Sequence, residues 1–136
     1  MDIDFPQKLL ESYRRACKPL CHELQIPQTA FDILLFLGNN PEHNTARDIV
    51  ALRGIKANLV SLYVEQLVQE GYLERVASPE DRRKTLLFCT AKAQPIIASG
   101  QQMQREFFTR LFEGVSPAAK ETFLQVLQTV RKNLTI

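Results

Sequence analysis

The chain contains 136 residues, of which 45% are hydrophobic, and its formal net charge at pH 7 is +2. This length and composition suit one domain or one compact protomer with a buried core, and they exclude a disordered or fibrous protein. The sequence pI near 8.5 is only mildly basic, below the value of about 9 that marks a strongly electrostatic nucleic-acid binder. Any affinity for DNA must therefore come from cations placed locally.

The N-terminus and the apolar runs bear on location. Residues 1–6 include Asp2 and Asp4 and lack the cationic and apolar regions of a secretory signal. The longest purely apolar run, residues 33–37, falls far short of the ~20 residues that cross a bilayer. The sequence predicts a soluble, cytoplasmic protein with no membrane partner.

Two amphipathic helices open the chain. Apolar residues recur at the spacing of one helical face from about Gln7 to Glu23, and Pro19 within this segment predicts a kink or a break. Pro27 is placed as the first residue of the second helix, which ends at the Gly-Asn-Asn-Pro run of residues 38–41. Its inward positions are Phe31, Leu34 and Leu35.

The next segment has the pattern of a helix-turn-helix. Thr45 and Asp48 form a capping pair that predicts a third helix over residues 46–52. After a short glycine-containing turn, the helical period of apolar residues predicts a fourth helix over residues 56–70, which Gly71 ends.

Residues 73–89 are typical of a β-hairpin wing. Two short apolar strands flank a tip that carries the consecutive cations Arg82, Arg83 and Lys84. A helix-turn-helix followed by a wing points to double-stranded DNA as the partner.

Two further helices complete the chain. Thr90 is placed to cap a long helix that runs to about Glu113 and that Pro95 and Gly100 weaken locally. Ser116-Pro117 has the cap-then-proline signature of a last helix. The apolar stripes of the terminal helices exceed what a monomer of this size can bury alone, which favours a homodimer. The alternative is that these helices fold back on the core.

The sequence thus predicts a mainly α fold with a small β-wing, a winged helix-turn-helix flanked by N- and C-terminal dimerisation helices. We divide the single protomer of residues 1–136 into a winged helix-turn-helix DNA-binding core over residues 28–90 and dimerisation helices over residues 1–27 and 91–136. No repeat, linker or low-complexity segment indicates a second domain.

The N-terminal part of the fourth helix carries the side chains expected of a recognition helix. Such a helix needs small or hydrogen-bonding residues where its backbone approaches base edges. Asn58 suits adenine, Ser61 suits a base or a phosphate, and Leu62 suits a thymine methyl group, whereas Lys56 suits a phosphate. Ala57 allows close approach. The alternative is an ordinary solvated helix face.

The wing tip strengthens the DNA interpretation. Arg82, Arg83 and Lys84 concentrate positive charge where a minor groove can accept it. Asp81 would be misplaced beside a phosphate unless it accepts hydrogen bonds from Arg83 or a nearby arginine and fixes its direction. We therefore predict that Asp81 orients the wing cations.

Other chemistries find little support in the sequence. It contains no phosphate-cradling glycine loop, activated nucleophile motif or paired carboxylates beside a histidine, so no enzyme is predicted. His22 and His43 are not clustered with other ligands, so no metal and no cofactor are predicted. Cys17, Cys21 and Cys89 form an odd set without a CxxC spacing. Cys17 and Cys21 share one helical face, either as a redox pair or as small buried hydrophobes.

Several motifs, taken in order, resemble the MarR-type regulators over nearly the whole chain. They are Gly54-Ile55, Val60-Ser61, Leu67, Gly71, Leu73, Arg75, Pro79-Glu80-Asp81-Arg82-Arg83 and Cys89-Thr90. The most specific part is the pair Asp81 and Arg83, which matches the family's Asp-x-Arg wing motif. The resemblance implies a triangular winged-helix homodimer joined through both terminal helices, with Arg83 as the minor-groove residue. Two positions depart from the family pattern. Lys56 stands where a small hydroxyl residue usually caps the recognition helix, and Ala93 stands where the family typically has a glycine three residues after the threonine.

The resemblance also implies a small aromatic or phenolic effector, bound between the dimer helices and the winged helix, that releases the protein from DNA. Tyr13, Phe31, Phe36 and Phe108 are the candidate ligand-binding residues, and each is alternatively a plain core residue. The oxidant-sensing branch of the family carries its reactive cysteine near the start of the first helix, where residues 3–13 contain none.

The sequence therefore predicts a sequence-specific double-stranded DNA-binding transcriptional regulator. It would be a ligand-responsive repressor that acts as a homodimer on a pseudo-palindromic operator. The alternative is a winged helix used for protein–protein contact or as an adaptor, without DNA binding. Salt discriminates the two, because binding through several phosphates weakens steeply as salt rises.

Overall fold

The computed structural model describes residues 2–135. The described chain is mainly helical and contains one two-stranded antiparallel sheet, which confirms the predicted fold class. It divides into two compact units, residues 2–104 and residues 105–135. The core of the first unit includes the fully buried side chains of Cys17, Phe31, Ile33, Leu34, Ile49, Val60, Leu67 and Leu73. No helix within the described residues is both long and apolar enough to span a membrane.

Helix α1 spans Phe5–Leu24 and helix α2 spans Gln28–Asn39. Of the kink or break expected at Pro19, the break does not occur, because α1 continues through this residue. Proline removes one backbone donor, and burial of Cys17 and Cys21 on the two sides of Pro19 stabilises the helix against that loss. Pro27 was predicted to be the first residue of α2, but it is the N-cap residue, and the helix begins one residue later at Gln28.

The helix-turn-helix starts at the predicted capping box. The amide of Asp48 donates to Thr45 Oγ1 at 3.1 Å, and the amide of Thr45 donates to Asp48 Oδ2 at 3.3 Å. Helix α3, Ala46–Asp48, continues into a π-helical turn over Ile49–Arg53. Gly54 then adopts φ +75°, a left-handed conformation that favours glycine. Helix α4 spans Ala57–Gln69.

The wing is a hairpin of β1, Leu73–Ala77, and β2, Thr85–Cys89. The strands pair antiparallel with Arg75 opposite Leu87 and Leu73 opposite Cys89. The edge of β2 that does not face β1 makes one backbone hydrogen bond outside the hairpin, since the Leu87 amide donates to the Asn44 carbonyl at 2.8 Å. The hairpin is therefore tied by backbone hydrogen bonding to the loop before α3.

A 3₁₀ turn over Ala91–Ala93 leads into α5, Gln94–Leu111. The cap expected from Thr90 was wrong, because its hydroxyl instead donates to the Gly71 carbonyl at 2.6 Å, and Thr90 makes no side-chain cap. This bond ties the residue after the wing to the end of α4.

Gly100 has a packing role that the sequence did not suggest. The expected weakening produces no break, since α5 continues through this residue. A Cβ atom at Gly100 would lie only 2.9 Å from Leu35 Cδ1 and 3.1 Å from Phe31 Cζ. The missing side chain therefore allows α5 to approach α2 closely.

The second unit contains the end of α5 and helix α6, Pro117–Leu134. Ser116 caps α6 as predicted, since its Oγ accepts from the Ala119 amide at 3.2 Å. Phe112 and Phe123 stack edge to face with ring centroids 5.7 Å apart. The apolar side chains predicted to line one face of α6 are nevertheless largely exposed. They are Phe123, Leu124, Leu127, Val130 and Leu134.

Candidate nucleic-acid interface

Helix α4 separates buried and exposed faces as a recognition helix requires. Val60, Val64 and Leu67 are buried in the core. The predicted DNA-binding residues of this segment all lie at exposed positions: Lys56, Ala57, Asn58, Ser61 and Leu62. These five side chains are therefore accessible to solvent near the N-terminus of α4.

The N-terminus of α4 has no side-chain cap. Lys56 is the N-cap residue, and its side chain makes no capping hydrogen bond. Amides in the first helical turn have no partner within the helix and favour an anionic group such as a phosphate. The departure noted at Lys56 thus leaves an uncapped helix end beside a lysine ammonium group.

The wing tip, residues 78–84, is braced by its own hydrogen bonds. The Ser78 amide donates to the Lys84 carbonyl at 3.0 Å, and the Lys84 amide donates to the Asp81 carbonyl at 3.0 Å. The Arg83 amide donates to Asp81 Oδ1 at 3.0 Å, and Arg83 Nε lies 3.6 Å from the same oxygen. The Arg83 side chain remains 95% exposed. Asp81 thus contacts both the backbone and the side chain of Arg83 and leaves the guanidinium in solvent.

Arg82 and Lys84 are also exposed. The three predicted cations of the tip therefore all face solvent, and their contact with DNA stays a prediction.

A groove of about 460 Å³ lies between the helix-turn-helix and the hairpin. It is lined by Ala46, Arg47, Val50, Ala57, Val60, Ser61, Val64, Arg75, Thr85 and Leu87. Two of these residues, Arg47 and Arg75, are cations that sequence reasoning did not assign to the site. The alternation of β1 contained a signal for Arg75, because residues two apart on a strand share a face and Leu73 faces the core.

Arg53, at the end of the π-helical turn, pairs with Asp32 of α2. Arg53 Nη2 lies 3.3 Å from Asp32 Oδ2, and Gln28 Nε2 donates to Asp32 Oδ1 at 2.8 Å. Burial raises the pKa of Asp32, and the Arg53 guanidinium partly opposes that rise. The pair links α2 to the turn before α4, so it belongs to the scaffold beneath the candidate interface.

The four candidate ligand-binding residues lie in different environments. Phe31 has no exposed surface. Phe36 and Tyr13 are partly buried and pack against the core, and the Tyr13 hydroxyl accepts from Gln104 Nε2 at 3.0 Å. Phe108 lies in the second unit and is half exposed. None of the four lines the groove beside α4, and a ligand would reach Phe31 only if the core opened.

The cysteines of α1 are placed as structural thiols. Cys17 and Cys21 are both buried. Burial raises the pKa of Cys21 to about 11 and also raises the pKa of Cys17. Both thiols therefore stay protonated at neutral pH, whereas reactive cysteines depend on the thiolate. Within residues 2–135, no group of three or more histidine, cysteine, aspartate or glutamate side chains could hold a metal ion.

We expect stability to fall as pH rises from about 9 to about 11. In this window the unfolded chain, with its Cys21 at an ordinary pKa of 9.0, releases a proton that the folded chain retains up to about 11. Stability falls wherever the unfolded state binds fewer protons. Urea denaturation at pH 8 and pH 10.5 measures this effect, and Cys21→Ala should reduce the difference between the two midpoints. An identical difference in Cys21→Ala and wild type would contradict the assignment.

Comparison with known proteins places this arrangement in context. The fold and the exposed helix and wing define a winged helix-turn-helix protein. The model of the MarR family matches residues 24–84, the segment that contains α2 to α4, β1 and the wing tip.

Two curated relatives are helix-turn-helix regulators. The transcriptional repressor IacR of Pseudomonas putida is 25% identical over 122 residues, which cover 90% of this chain and 72% of the repressor. The uncharacterized regulator YdgJ of Bacillus subtilis is 26% identical over 109 residues, which cover 80% of this chain. The match spans 66% of YdgJ, slightly less than two thirds of its length.

The fold is also that of solved structures. A Listeria monocytogenes protein assigned to the MarR family, complexed with 26mer DNA, has a TM-score of 0.83 at 18% identity, covering 98% of this chain and 89% of that chain. The Staphylococcus aureus MepR–DNA complex has a TM-score of 0.76 at 16% identity, covering 96% of this chain and 94% of that chain. The MarR family model thus matches the winged-helix segment, and the fold of the described residues is that of these solved structures.

Proposed function

We propose that this chain is a sequence-specific double-stranded DNA-binding transcriptional regulator. The observation that supports it most is the pairing of two exposed surfaces on one winged helix. The uncapped start of α4 presents Asn58 and Ser61, and the braced wing tip presents Arg83. A recognition helix would read bases in the major groove while the wing enters the adjacent minor groove. Two solved structures with the same fold, one of a protein assigned to the MarR family and one of MepR, are complexes with DNA and support the same assignment.

The proposed active form is a homodimer joined through the terminal helices. The stripe of α6 leaves large apolar side chains exposed, among them Phe123, Leu127 and Val130. Contiguous exposed apolar surface of this kind is typical of protein interfaces. Two recognition helices related by a two-fold axis would read half-sites about one helical turn apart on a pseudo-palindrome.

Repression is the proposed mode of regulation, since the relative IacR is a repressor. In this proposal a small aromatic effector releases the dimer from its operator, and the protein works in the cytoplasm, where its DNA is. The proposed function is non-enzymatic, as expected of a family of transcriptional regulators.

Selection of a random duplex DNA pool on the purified protein tests the proposal. We expect enrichment of an inverted repeat and retention that weakens steeply with salt. Failure to enrich any sequence, combined with no salt-sensitive retention of DNA, would contradict DNA binding and favour a protein-contact role for the winged helix.

We predict that Asn58→Ala weakens operator binding by about 1–3 kcal/mol and relaxes specificity at one base pair, because a base-edge hydrogen bond is lost. Binding to the selected operator and to its single-base variants measures both effects. Gln66→Ala is the control, since Gln66 is exposed in the second half of the same helix. A uniform loss across all operator variants would instead assign Asn58 to the phosphate backbone.

A further inference from the structure

We propose that Glu65 of α4 positions the wing by holding Arg75 of β1, and thereby sets where the wing meets DNA relative to the bases that α4 reads. The inference rests on the proposed function. It adds two positioning residues, Glu65 and Arg75, that are not themselves predicted to touch a base.

The contact joins the recognition helix directly to the hairpin. Arg75 Nη2 donates to Glu65 Oε2 at 2.6 Å. Glu65 Oε1 accepts from Gln69 Nε2 at 3.3 Å, so both carboxylate oxygens are hydrogen-bonded. A charge-assisted bond at this distance is short and directional. The carboxylate is thus fixed on α4 and fixes the guanidinium in turn.

Arg75 lies near the base of the hairpin, where a small change in the direction of the strands displaces the wing tip. It pairs across the hairpin with Leu87, which is buried and bonded to Asn44. The wing tip begins three residues further along the chain, about 10 Å away at ~3.3 Å per residue in an extended strand. A two-stranded hairpin is marginally stable by itself, so its direction depends on such contacts with the rest of the domain. The Arg75–Glu65 contact therefore restrains the angle between α4 and the wing.

The exposure of the pair argues against a role in overall stability. The side chains of Arg75 and Glu65 are 40% and 50% exposed. Ion pairs this exposed contribute little to the free energy of unfolding. Glu65 also places a negative charge on the helix proposed to face DNA phosphates, where a carboxylate alone would weaken binding. A positioning role accounts for both features.

Substitution of Glu65 tests the positioning role, because the charge of Glu65 and its contact with Arg75 predict opposite changes in DNA affinity. Removing a negative charge near phosphates should strengthen DNA binding if charge alone matters. If Glu65 positions the wing, Glu65→Gln should instead weaken binding to the selected operator by about two- to fivefold, the range that an exposed ion pair can contribute. Discrimination should be lost at the flanking base pairs that the wing reads and kept at those read by α4.

The matched control is Glu74→Gln. Glu74 is also exposed, lies next to Arg75 on the other face of the hairpin, and has no ion pair among the described residues. This variant removes the same charge without removing a wing contact. We expect its affinity to equal or exceed that of wild type. Binding by Glu65→Gln that is as tight as wild type, with flanking discrimination intact, would overturn the inference.

A double-mutant cycle separates positioning from a direct phosphate contact by Arg75. If both residues act through their contact, Glu65→Gln/Arg75→Gln should bind no more weakly than either single variant. A phosphate contact by Arg75 would make the losses additive and reduce the salt slope of Arg75→Gln by about 1. That additive result would overturn the positioning role of the pair.

A measurement without DNA distinguishes failure of this inference from failure of the proposed function. Amide ¹⁵N relaxation of Ser78 and residues 80–84 in the free protein should show lower order parameters in Glu65→Gln than in wild type and Glu74→Gln. Unchanged order parameters would overturn the restraint on the wing. If the wing loosens as expected but wild type selects no DNA, the proposed function is wrong and the DNA consequence of the pair falls with it.

Discussion

Replacing Arg83 by alanine is expected to weaken operator binding by about tenfold to a hundredfold while the dimer stays intact. A guanidinium inserted into a narrow minor groove gains from the enhanced negative potential there, and the loss corresponds to about 1.4–2.8 kcal/mol. Arg83 is exposed and its backbone is held by Asp81, so the substitution removes a contact group without disturbing the core. Fluorescence anisotropy with the selected operator measures the affinity, and size-exclusion chromatography checks the oligomeric state.

The neighbouring cation provides the control for charge. Arg82→Ala removes the same charge from the same exposed tip, but no hydrogen bond from Arg82 to the Asp81 carboxylate is found in the described residues. If Arg83 alone enters the groove, Arg82→Ala should cost clearly less and should leave discrimination at the flanking base pairs unchanged. Equal losses in the two variants would mean that the tip acts only as a diffuse positive charge, and the minor-groove assignment of Arg83 would be wrong.

Much of the secondary structure could be predicted from local chemistry. The capping box of Thr45 and Asp48 and the cap of Ser116 depend on residues within three positions of each other, and both were confirmed. The hairpin could be predicted because two short apolar segments flank a polar, cationic tip, and the structure pairs these segments as β1 and β2. Signals of this range are present in the sequence itself.

The features that were missed depend on residues far apart in the chain. Thr90 was expected to cap a helix, but it bonds to Gly71, which is nineteen positions away. Gly100 reads as a weak point within a helix, and its role appears only when Leu35 and Phe31 lie against it. Arg75 was assigned to a strand without a partner, since nothing local identifies Glu65 of another element as its acceptor. The exposure of the predicted DNA-binding residues of α4 could be predicted from the helical period, whereas the contact between α4 and the wing strand could not.

Phe31→Ala is expected to have the largest effect on stability, lowering the free energy of unfolding by about 3–5 kcal/mol. Phe31 has no exposed surface and packs within the core of the first unit, beneath Gly100 of α5. Truncation would remove apolar burial and leave a cavity that close neighbours can fill only partly. Urea denaturation at one fixed protein concentration measures the loss, since the proposed dimerisation would make apparent stability depend on concentration.

The matched control for this loss is Phe88→Ala. Phe88 is the same residue type on the outer face of the hairpin, where it is 44% exposed, so its truncation should cost far less than that of Phe31.

Phe31→Ala also distinguishes the two interpretations of Phe31, as a core residue and as part of an effector pocket. If Phe31 is core, the cavity in Phe31→Ala is apolar and closed, and an apolar cavity of that size binds benzene. Benzene should then raise the stability of Phe31→Ala and leave that of wild type unchanged. If Phe31 instead lines a natural pocket, the side chain is not needed to fill the core, and its removal should cost little stability while changing the response of DNA binding to aromatic ligands. A small loss of stability with an altered ligand response would therefore overturn the core assignment that complete burial supports.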